Sequence, residues 1–406
     1  MNPTSKASSM RLLALALLPV AALALAQRGP ALAPPAAGDL VVGQLAAGVR
    51  TPAADVERRP LEFFQPLAAD TRLEAAPPHL AESREYWQRV DGDALRAGYA
   101  LALTAPGAVV LVSPAAGAEP LVRSQLAIDS NGSRLPLDRA GDTLVDAQAL
   151  RAAGMEVAPG SVGFRLRPGF EADAALVVAG ALGDYVLHVF EPASRDVASA
   201  RAQADTVHAG GTVQVQVALA GGGRIEAASG VLVSPAGQAF DVDYAAAADG
   251  GLVGTVAVPA GAGGEPGLWD LRTSVAASGR AGAFQRDVRI AVAVVAPVAR
   301  LNGEVERAVR RVDGALELRL GIEVASAGRY ELRGVLHGTD GKGARVALGL
   351  AQAAAWLEPG TGTLALAFPV LSGGSVSGPF ELRDLQLVDQ TRIAVLERRA
   401  LALRFD

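Results

Sequence analysis

The chain has 406 residues, with 37 lysines and arginines against 42 aspartates and glutamates, a formal net charge of -5 and no cysteine. Without thiols it cannot form a zinc–thiolate site, an iron–sulfur cluster, a disulfide framework or a cysteine nucleophile. The acidic balance excludes the basic surface typical of a nucleic-acid binder. Since 50% of the residues are hydrophobic, an intrinsically disordered chain is also excluded.

The first 26 residues have the three parts of a secretory signal peptide. Lys6 and Arg11 give a positive start, and an uncharged apolar run follows over residues 12–23. Ala24-Leu25-Ala26 then places small residues where a signal peptidase cleaves. The run is short for a membrane span, which needs about 20 apolar residues, so an uncleaved anchor is the less favoured alternative. We expect an exported protein, periplasmic or secreted, that begins at Gln27 and has no membrane span after cleavage.

The mature chain divides into a linker and three predicted domains. Residues 27–55 are rich in Ala, Pro and Gly without a clear period, which predicts a disordered linker. The remainder is too long for one ordinary core. We predict an N-terminal β-rich domain over residues 56–195 and two further domains over residues 196–297 and 298–406.

Alternation of apolar and polar residues is the strongest structural signal. In Leu316–Val324, five aliphatic residues alternate with Glu, Arg, Gly and Glu, as in a strand with one buried face. Similar ladders begin at Val213, Val288, Leu364 and Leu401. About seven short strands in each of the last two segments predict two immunoglobulin-like β-sandwich domains without the cysteine pair of antibody domains.

The N-terminal domain is less regular. The spacing of apolar residues from Leu95 to Leu103 predicts a strand. Asp146 is a candidate cap for a short helix over residues 147–153, which Gly154 would end. The sequence therefore predicts a mostly β domain with one or two short helices.

Trp87, Trp269 and Trp356 fall one to each predicted domain. We interpret them as one core anchor for each domain. A saccharide-binding surface would need several aromatic side chains on one exposed face, and 4% aromatic content does not favour it.

The four histidines are His79, His188, His208 and His337, and no two have metal-ligand spacing. We expect His188 to be a half-buried or edge histidine of a strand. His337 and Asp340 are expected in a solvated hairpin turn. The chain has no Gly-x-Ser-x-Gly, Walker A or Gly-x-Gly-x-x-Gly motif. The sequence thus predicts no catalytic, cofactor-binding or metal-binding residue and no cofactor.

Pairs of carboxylates two residues apart are the remaining candidates for chemistry. On a strand such a pair shares one face, about 7 Å apart, where it could share a cation or flank a scissile bond. A solvated strand face also gives such pairs with no function, and calcium loops need a denser set. The pairs are Asp91 with Asp93, Glu171 with Asp173, Asp241 with Asp243, and Glu304 with Glu306.

Three segments resemble an uncharacterised group of exported proteobacterial proteins, domain-of-unknown-function family 4785. They are Tyr185–Pro192, Gly267–Leu271 and Gly378–Leu385. The resemblance covers most of residues 56–406 and implies an N-terminal β-rich domain followed by immunoglobulin-like domains. The segments are typical of a fold rather than of an active site, so the resemblance implies no activity and no functional residue.

Two functions remain open. The favoured one is a non-enzymatic exported protein that binds an unknown envelope or extracellular protein through its β-domains, including by strand addition. The alternative is a hydrolase in domain 56–195, built from scattered acids with His79 or His188, since a constellation of distant residues leaves no local motif. A spacer role in an envelope assembly is not separable from the first by sequence.

Overall fold

The computed structural model describes residues 31–51, 56–68, 70–73, 77–170, 173–309, 315–369 and 376–406. The predicted signal peptide and residues 27–30 lie outside these ranges. The described chain is mainly β, as predicted, with six sheets and three short helices. Within the described residues, no helix is long and apolar enough to cross a membrane.

The lead segment, described over residues 31–51 and 56–66, lies against the C-terminal domain rather than forming a free tether. The backbone of Leu40 pairs with that of Arg398, and the Ala33 amide donates to the Ala402 carbonyl at 2.8 Å. Strand β1, Leu61–Pro66, then pairs along its whole length with a strand of the same domain, from Leu61 opposite Ala354. The predicted disordered linker is therefore wrong for residues 31–51, because their backbone groups find partners on a sheet edge that composition cannot reveal.

Strand β2, Leu80–Ser83, also leaves the predicted first domain and joins a sheet of the middle domain. The N-terminal domain itself is built from β3 onward as two antiparallel sheets, ordered β3-β11-β5-β9-β8 and β4-β10-β6-β7. Its elements are β3 Glu85–Asp91, α1 Gly92–Ala97, β4 Tyr99–Ala100, β5 Val109–Pro114, β6 Leu126–Ser130, β7 Ser133–Pro136, α2 Leu137–Ala140, β8 Gly141–Asp146, α3 Ala147–Ala152, β9 Val162–Leu166, β10 Ala175–Val178 and β11 Asp184–Phe190.

Helix α1 replaces the strand predicted around Leu95. Asp91 accepts a hydrogen bond from the Ala94 amide at 2.9 Å and so caps the helix, and Gly98 ends it with φ 108°. The side chain of Leu95, which belongs to this helix, is fully buried. The strand prediction is wrong here because the two caps stabilise a helix in spite of the alternating apolar residues. Helix α3 is confirmed, since Asp146 caps it through the Ala149 amide.

The middle domain consists of two five-stranded sheets, ordered β17-β18-β14-β12-β2 and β13-β20-β19-β15-β16. Its strands are β12 Val197–Ala202, β13 Thr206–His208, β14 Thr212–Ala220, β15 Arg224–Val233, β16 Ala239–Asp241, β17 Asp243–Ala246, β18 Leu252–Ala257, β19 Trp269–Gly279 and β20 Gly282–Val295. Alternate residues of β14 and β20 enter its core, as the ladders at Val213 and Val288 predict.

The C-terminal domain packs a five-stranded sheet, β1-β24-β23-β26-β27, on a three-stranded sheet, β21-β22-β25. Its strands are β21 Ala299–Val309, β22 Leu316–Val324, β23 Gly328–Thr339, β24 Arg345–Leu357, β25 Gly360–Phe368, β26 Ser377–Asp389 and β27 Ala394–Phe405. Leu318, Leu366 and Leu387 come from different strands and meet in one core. That the last two domains are immunoglobulin-like, beyond being β-rich, stays a prediction.

The three tryptophans do not share one role. Trp269 is buried in the core of the middle domain, as expected. Trp87 and Trp356 are only half-buried. The expectation of one core anchor for each domain is therefore right for Trp269 alone.

Candidate functional site

The four histidines are held in four different places. His79 Nε2 is 2.5 Å from the Ala291 carbonyl oxygen, and His208 Nε2 is 2.7 Å from that of Leu396. Burial lowers the pKa of His208 below its ordinary value, although the bond to the Leu396 carbonyl opposes this. Each imidazole therefore links two distant segments of the chain through a hydrogen bond.

His337 does not lie in a solvated turn, as the sequence predicted, but is buried in β23. The turn is formed by Asp340, whose carboxylate accepts the amides of Lys342 and Ala344 at 2.9 and 2.8 Å. Burial lowers the pKa of His337. The prediction was wrong because β23 continues to Thr339, so the turn begins only after His337.

The carboxylate pairs are explained by local structure. Asp91 caps α1 and Asp93 pairs with Arg96, while Glu306 pairs with Arg319 at 3.5 Å. Asp241 ends β16, where Asp243 begins β17. Glu304 is bonded to Asn302, and Glu171 lies outside the described residues. Among the described residues, no group of three or more His, Asp and Glu side chains could hold a metal ion.

One cavity gathers a histidine with two carboxylates, the combination expected of the hydrolase alternative. It has a volume of about 650 Å³ and is lined by His79, Asp39 and Asp205, among others. Asp39 accepts the amides of Ala36 and Ala400, both at 2.8 Å. The three groups are thus already bonded to backbone or to arginine, and the arrangement presents no activated nucleophile.

Asp205 shows how these groups are held. Burial alone raises the pKa of its carboxyl, but the hydrogen bonds and charge of Arg398 outweigh burial and keep that pKa below its ordinary value. Arg398 lies 3.2 Å away and belongs to β27. The pair therefore joins the middle domain to the C-terminal domain as an ion pair.

The second notable cavity is the interdomain cleft, between β3 of the N-terminal domain and the outer face of β15, β19 and β20. Its volume is about 610 Å³. Trp87 and Gln88 line one wall, and Arg272, Asp287 and Arg289 line the opposite one. Ligand sites favour such junctions between domains.

A buried ion pair fixes the two sides of this cleft. Glu191 of the N-terminal domain and Arg286 of the middle domain lie 2.7 Å apart, each with 0% of its side chain exposed. The Glu191 carboxylate also accepts the amides of Thr104 and Ala105 at 2.6 and 2.9 Å. Arg286 donates to Ser194 and to the Asp196 carbonyl. Since both charges are paired and hydrogen-bonded, the network holds the domains at a defined angle.

Strand β25 offers a different kind of site. Within the described residues it pairs with β22 alone, over nine residues without a register shift. Every second residue of an edge strand turns its N–H and C=O groups away from the sheet. The segment Gly360–Phe368 has no charged residue and no proline. On its other side this open edge has no strand partner among the described residues.

The other edges are guarded by features that discourage pairing. Strand β21 has a bulge between Leu301 and Val305 and carries Glu304, Glu306 and Arg307. The edge of β27 is covered by the lead segment around Leu40. Among described edge strands longer than three residues, β25 alone lacks charge, proline and bulge.

Sequence reasoning had named neither the interdomain cleft nor the open edge. The absence of charge over Gly360–Phe368 was a readable signal for the edge. The cleft had no such signal, because Trp87 and Arg272 meet only through the packing of two domains.

The sequence matches two patterns of one family. The N-terminal domain of the family described as domain of unknown function DUF4785 matches residues 52–191, and its C-terminal domain matches residues 299–405. No curated protein is similar enough to this sequence to count as a match.

A solved structure of the same family shares the fold. A DUF4785 family protein from Legionella pneumophila superimposes with a TM-score of 0.70 at 19% identity, covering 90% of this chain and 98% of its own. A tetra-tandem repeat from the extending region of a large adhesion protein covers 71% of this chain and 68% of its own, at 15% identity and a TM-score of only 0.18. At 19% identity the Legionella neighbour shows the fold alone.

Proposed function

Because this chain belongs to the DUF4785 family, whose function is unknown, we propose from its own geometry that it is a non-enzymatic, exported protein that binds an extended polypeptide by strand addition. The open edge of β25 carries this proposal. A polypeptide laid along it continues the sheet β21-β22-β25 and satisfies the outward backbone groups.

Three N-terminal segments support the proposal, since each already pairs in this way with another part of the chain. Strand β1 adds to β24, β2 adds to β12, and residues 33–40 lie along β27. Each covers an edge that belongs to another part of the chain. Strand β25 has no such cover within the described residues.

The surroundings of β25 define the partner's chemistry. Phe64 of β1 packs edge-on against Phe368 of β25, with ring centroids 6.3 Å apart. Leu364 and Leu366 point into the core from the same face as Phe368. An added strand would place alternate side chains beside this apolar rim, so its inward residues should be apolar and uncharged.

Selection from a library of displayed dodecapeptides on the immobilised mature chain tests this. We expect enriched peptides with alternating apolar residues, and amide protection on binding confined to residues 360–368. The variant T363K/A365K places two charges on the edge strand and should weaken the selected peptides about tenfold. The control Q214K/Q216K adds the same charge to exposed positions of β14, an internal strand.

Equal binding by the two charge variants would contradict the proposal, as would protection elsewhere than β25. Selection without a common pattern would also count against it. Export is tested separately by determining the N-terminus of the mature protein, which we expect at Gln27.

A further inference from the structure

The interdomain cleft supports a second inference that is independent of the edge strand. One wall is formed by Trp87 and Gln88 of β3, and Trp87 stands opposite His188 of β11 in the strand pairing. The two rings are stacked, with centroids 4.3 Å apart and planes within 2°. Glu85, 2.7 Å from His188 Nε2, fixes the imidazole in that position.

This stack decides how a ligand can meet Trp87. The imidazole covers one face of the half-buried indole, so a ligand meets the part of the ring that lines the cleft. Among the described residues, the indole Nε1 of Trp87 has no hydrogen-bond partner. Phe190, 38% exposed, lies on the same face of the sheet as His188. One face of the sheet therefore carries three rings, of which Trp87 lines the cleft.

Polar side chains form the floor of the cleft and are fixed by one another and by Asp270, which does not itself line the cleft. Asp270 accepts from Arg272 Nε at 2.7 Å and from Arg289 at 2.5 Å. Burial raises the pKa of Asp270, but the two guanidinium groups outweigh burial and keep that pKa below its ordinary value. Asp287 accepts the Trp87 amide at 2.6 Å and a Gln285 amide hydrogen at 3.0 Å.

The charges of the side chains that line the cleft balance, with Arg272 and Arg289 against Asp241 and Asp287. Asp270, bonded to both arginines from outside the lining, adds one negative charge. Arg272 uses only its Nε on Asp270, which leaves its terminal nitrogens to donate elsewhere. Ser229 and Ser274 add hydroxyl groups that both donate and accept.

These features select one class of ligand. An anion would meet the carboxylates of Asp241 and Asp287, and an apolar molecule would leave the fixed donors and acceptors without partners. A pyranose has hydroxyl groups around its rim, for such a floor, and C–H groups on its faces, for an indole. We propose that the interdomain cleft binds a short neutral saccharide, with one ring against Trp87 and its hydroxyls on Arg272 and Asp287. The volume of about 610 Å³ lies within the range of ligand clefts.

Titration calorimetry of the mature chain tests this with cellobiose, maltose and diacetylchitobiose as neutral probes and digalacturonate as the anionic comparison. We expect at least one neutral disaccharide to bind at millimolar concentration. W87L should weaken that binding about tenfold or more, whereas W356L, which alters a half-buried tryptophan outside the cleft, should not.

A second variant protects the test against misfolding. R272K keeps the positive charge but loses the planar guanidinium group and its paired N–H donors. It should therefore also weaken sugar binding, while the affinity of W356L stays at the wild-type value. Intrinsic fluorescence should change with the sugar in wild type and W356L but not in W87L.

Three results would overturn the proposal: no neutral probe binds at millimolar concentration, digalacturonate alone binds, or W87L binds as W356L does. The edge variant T363K/A365K should bind the sugar normally, so this test and that of the polypeptide site fail separately.

Discussion

Replacing Glu191 by glutamine should be among the most damaging single changes in this chain. The amide keeps an acceptor oxygen for the Thr104 and Ala105 amides but removes the only negative charge bonded to the Arg286 guanidinium in the described structure. With 0% of either side chain exposed, water cannot replace the lost charge. Breaking a fully buried pair in this way costs about 3–5 kcal/mol.

A double-mutant cycle separates the pair from the bonds around it. R286M alone leaves Glu191 buried as an unpaired carboxylate, so we expect a similar cost. E191Q/R286M removes both charges. Its loss of stability should be smaller than the sum of the two single losses by about 2–3 kcal/mol. The remaining loss reflects the Asp196 and Gln285 carbonyls, which lose their Arg286 donors.

Hydrogen exchange on peptides covering β11 and β20 is the appropriate assay, since a chain of several domains need not unfold in two states. The matched control is R289M, on the same strand, whose side chain is 56% exposed and whose pairing with Asp270 should contribute at most about 1 kcal/mol. The reasoning would be refuted if E191Q lowered stability by less than about 1 kcal/mol. It would also be refuted if the losses of E191Q and R286M simply added in the double variant.

Three further changes test other contacts. D39A removes the acceptor of the Ala400 amide, so residues 33–40 should exchange faster, with a loss of about 1 kcal/mol at that edge. G349A places a Cβ against the Phe64 ring and should destabilise the pairing of β1 by about 1–3 kcal/mol; unchanged protection of residues 61–66 would contradict this. For Asp205 the folded pKa lies below its ordinary 3.8, so its stabilising contribution is present above pH 3.8 and is lost as the pH falls through the folded pKa. The stability of wild type and D205N should therefore be measured as the pH is lowered, and wild type should lose its excess stability over D205N in acid. A difference in stability that does not depend on pH would exclude this account.

The strands were predictable where one face is buried and the other wet. Leu316–Val324 alternates along its whole length and forms β22 with the same bounds. Around Leu95 the same alternation was misleading, because Asp91 could cap a helix and Gly98 could end it. Alternation reports one buried face, and a short helix with small residues can imitate it.

Contacts between distant segments could not be predicted. Nothing in the composition of residues 31–51 shows that Leu40 will meet Arg398, since an edge strand accepts backbone groups of almost any sequence. The cleft was hidden for a related reason: Trp87 looked like a core residue until a second domain was packed beside it. A single sequence records periodicity well and long-range pairing poorly.

The placement of β1 has a consequence for the order in which this protein can be completed. Leu61–Pro66 leaves the ribosome early, yet its partner β24 is made only after almost the whole chain has followed. The first strand synthesised must therefore wait, with Leu61 and Phe63 still half exposed even in the finished fold. A copy interrupted before β24 would carry an unpaired apolar strand, and one released without its first residues would lack the edge of its last sheet. The pairing of β1 with β24 therefore closes over the two domains that are made between them.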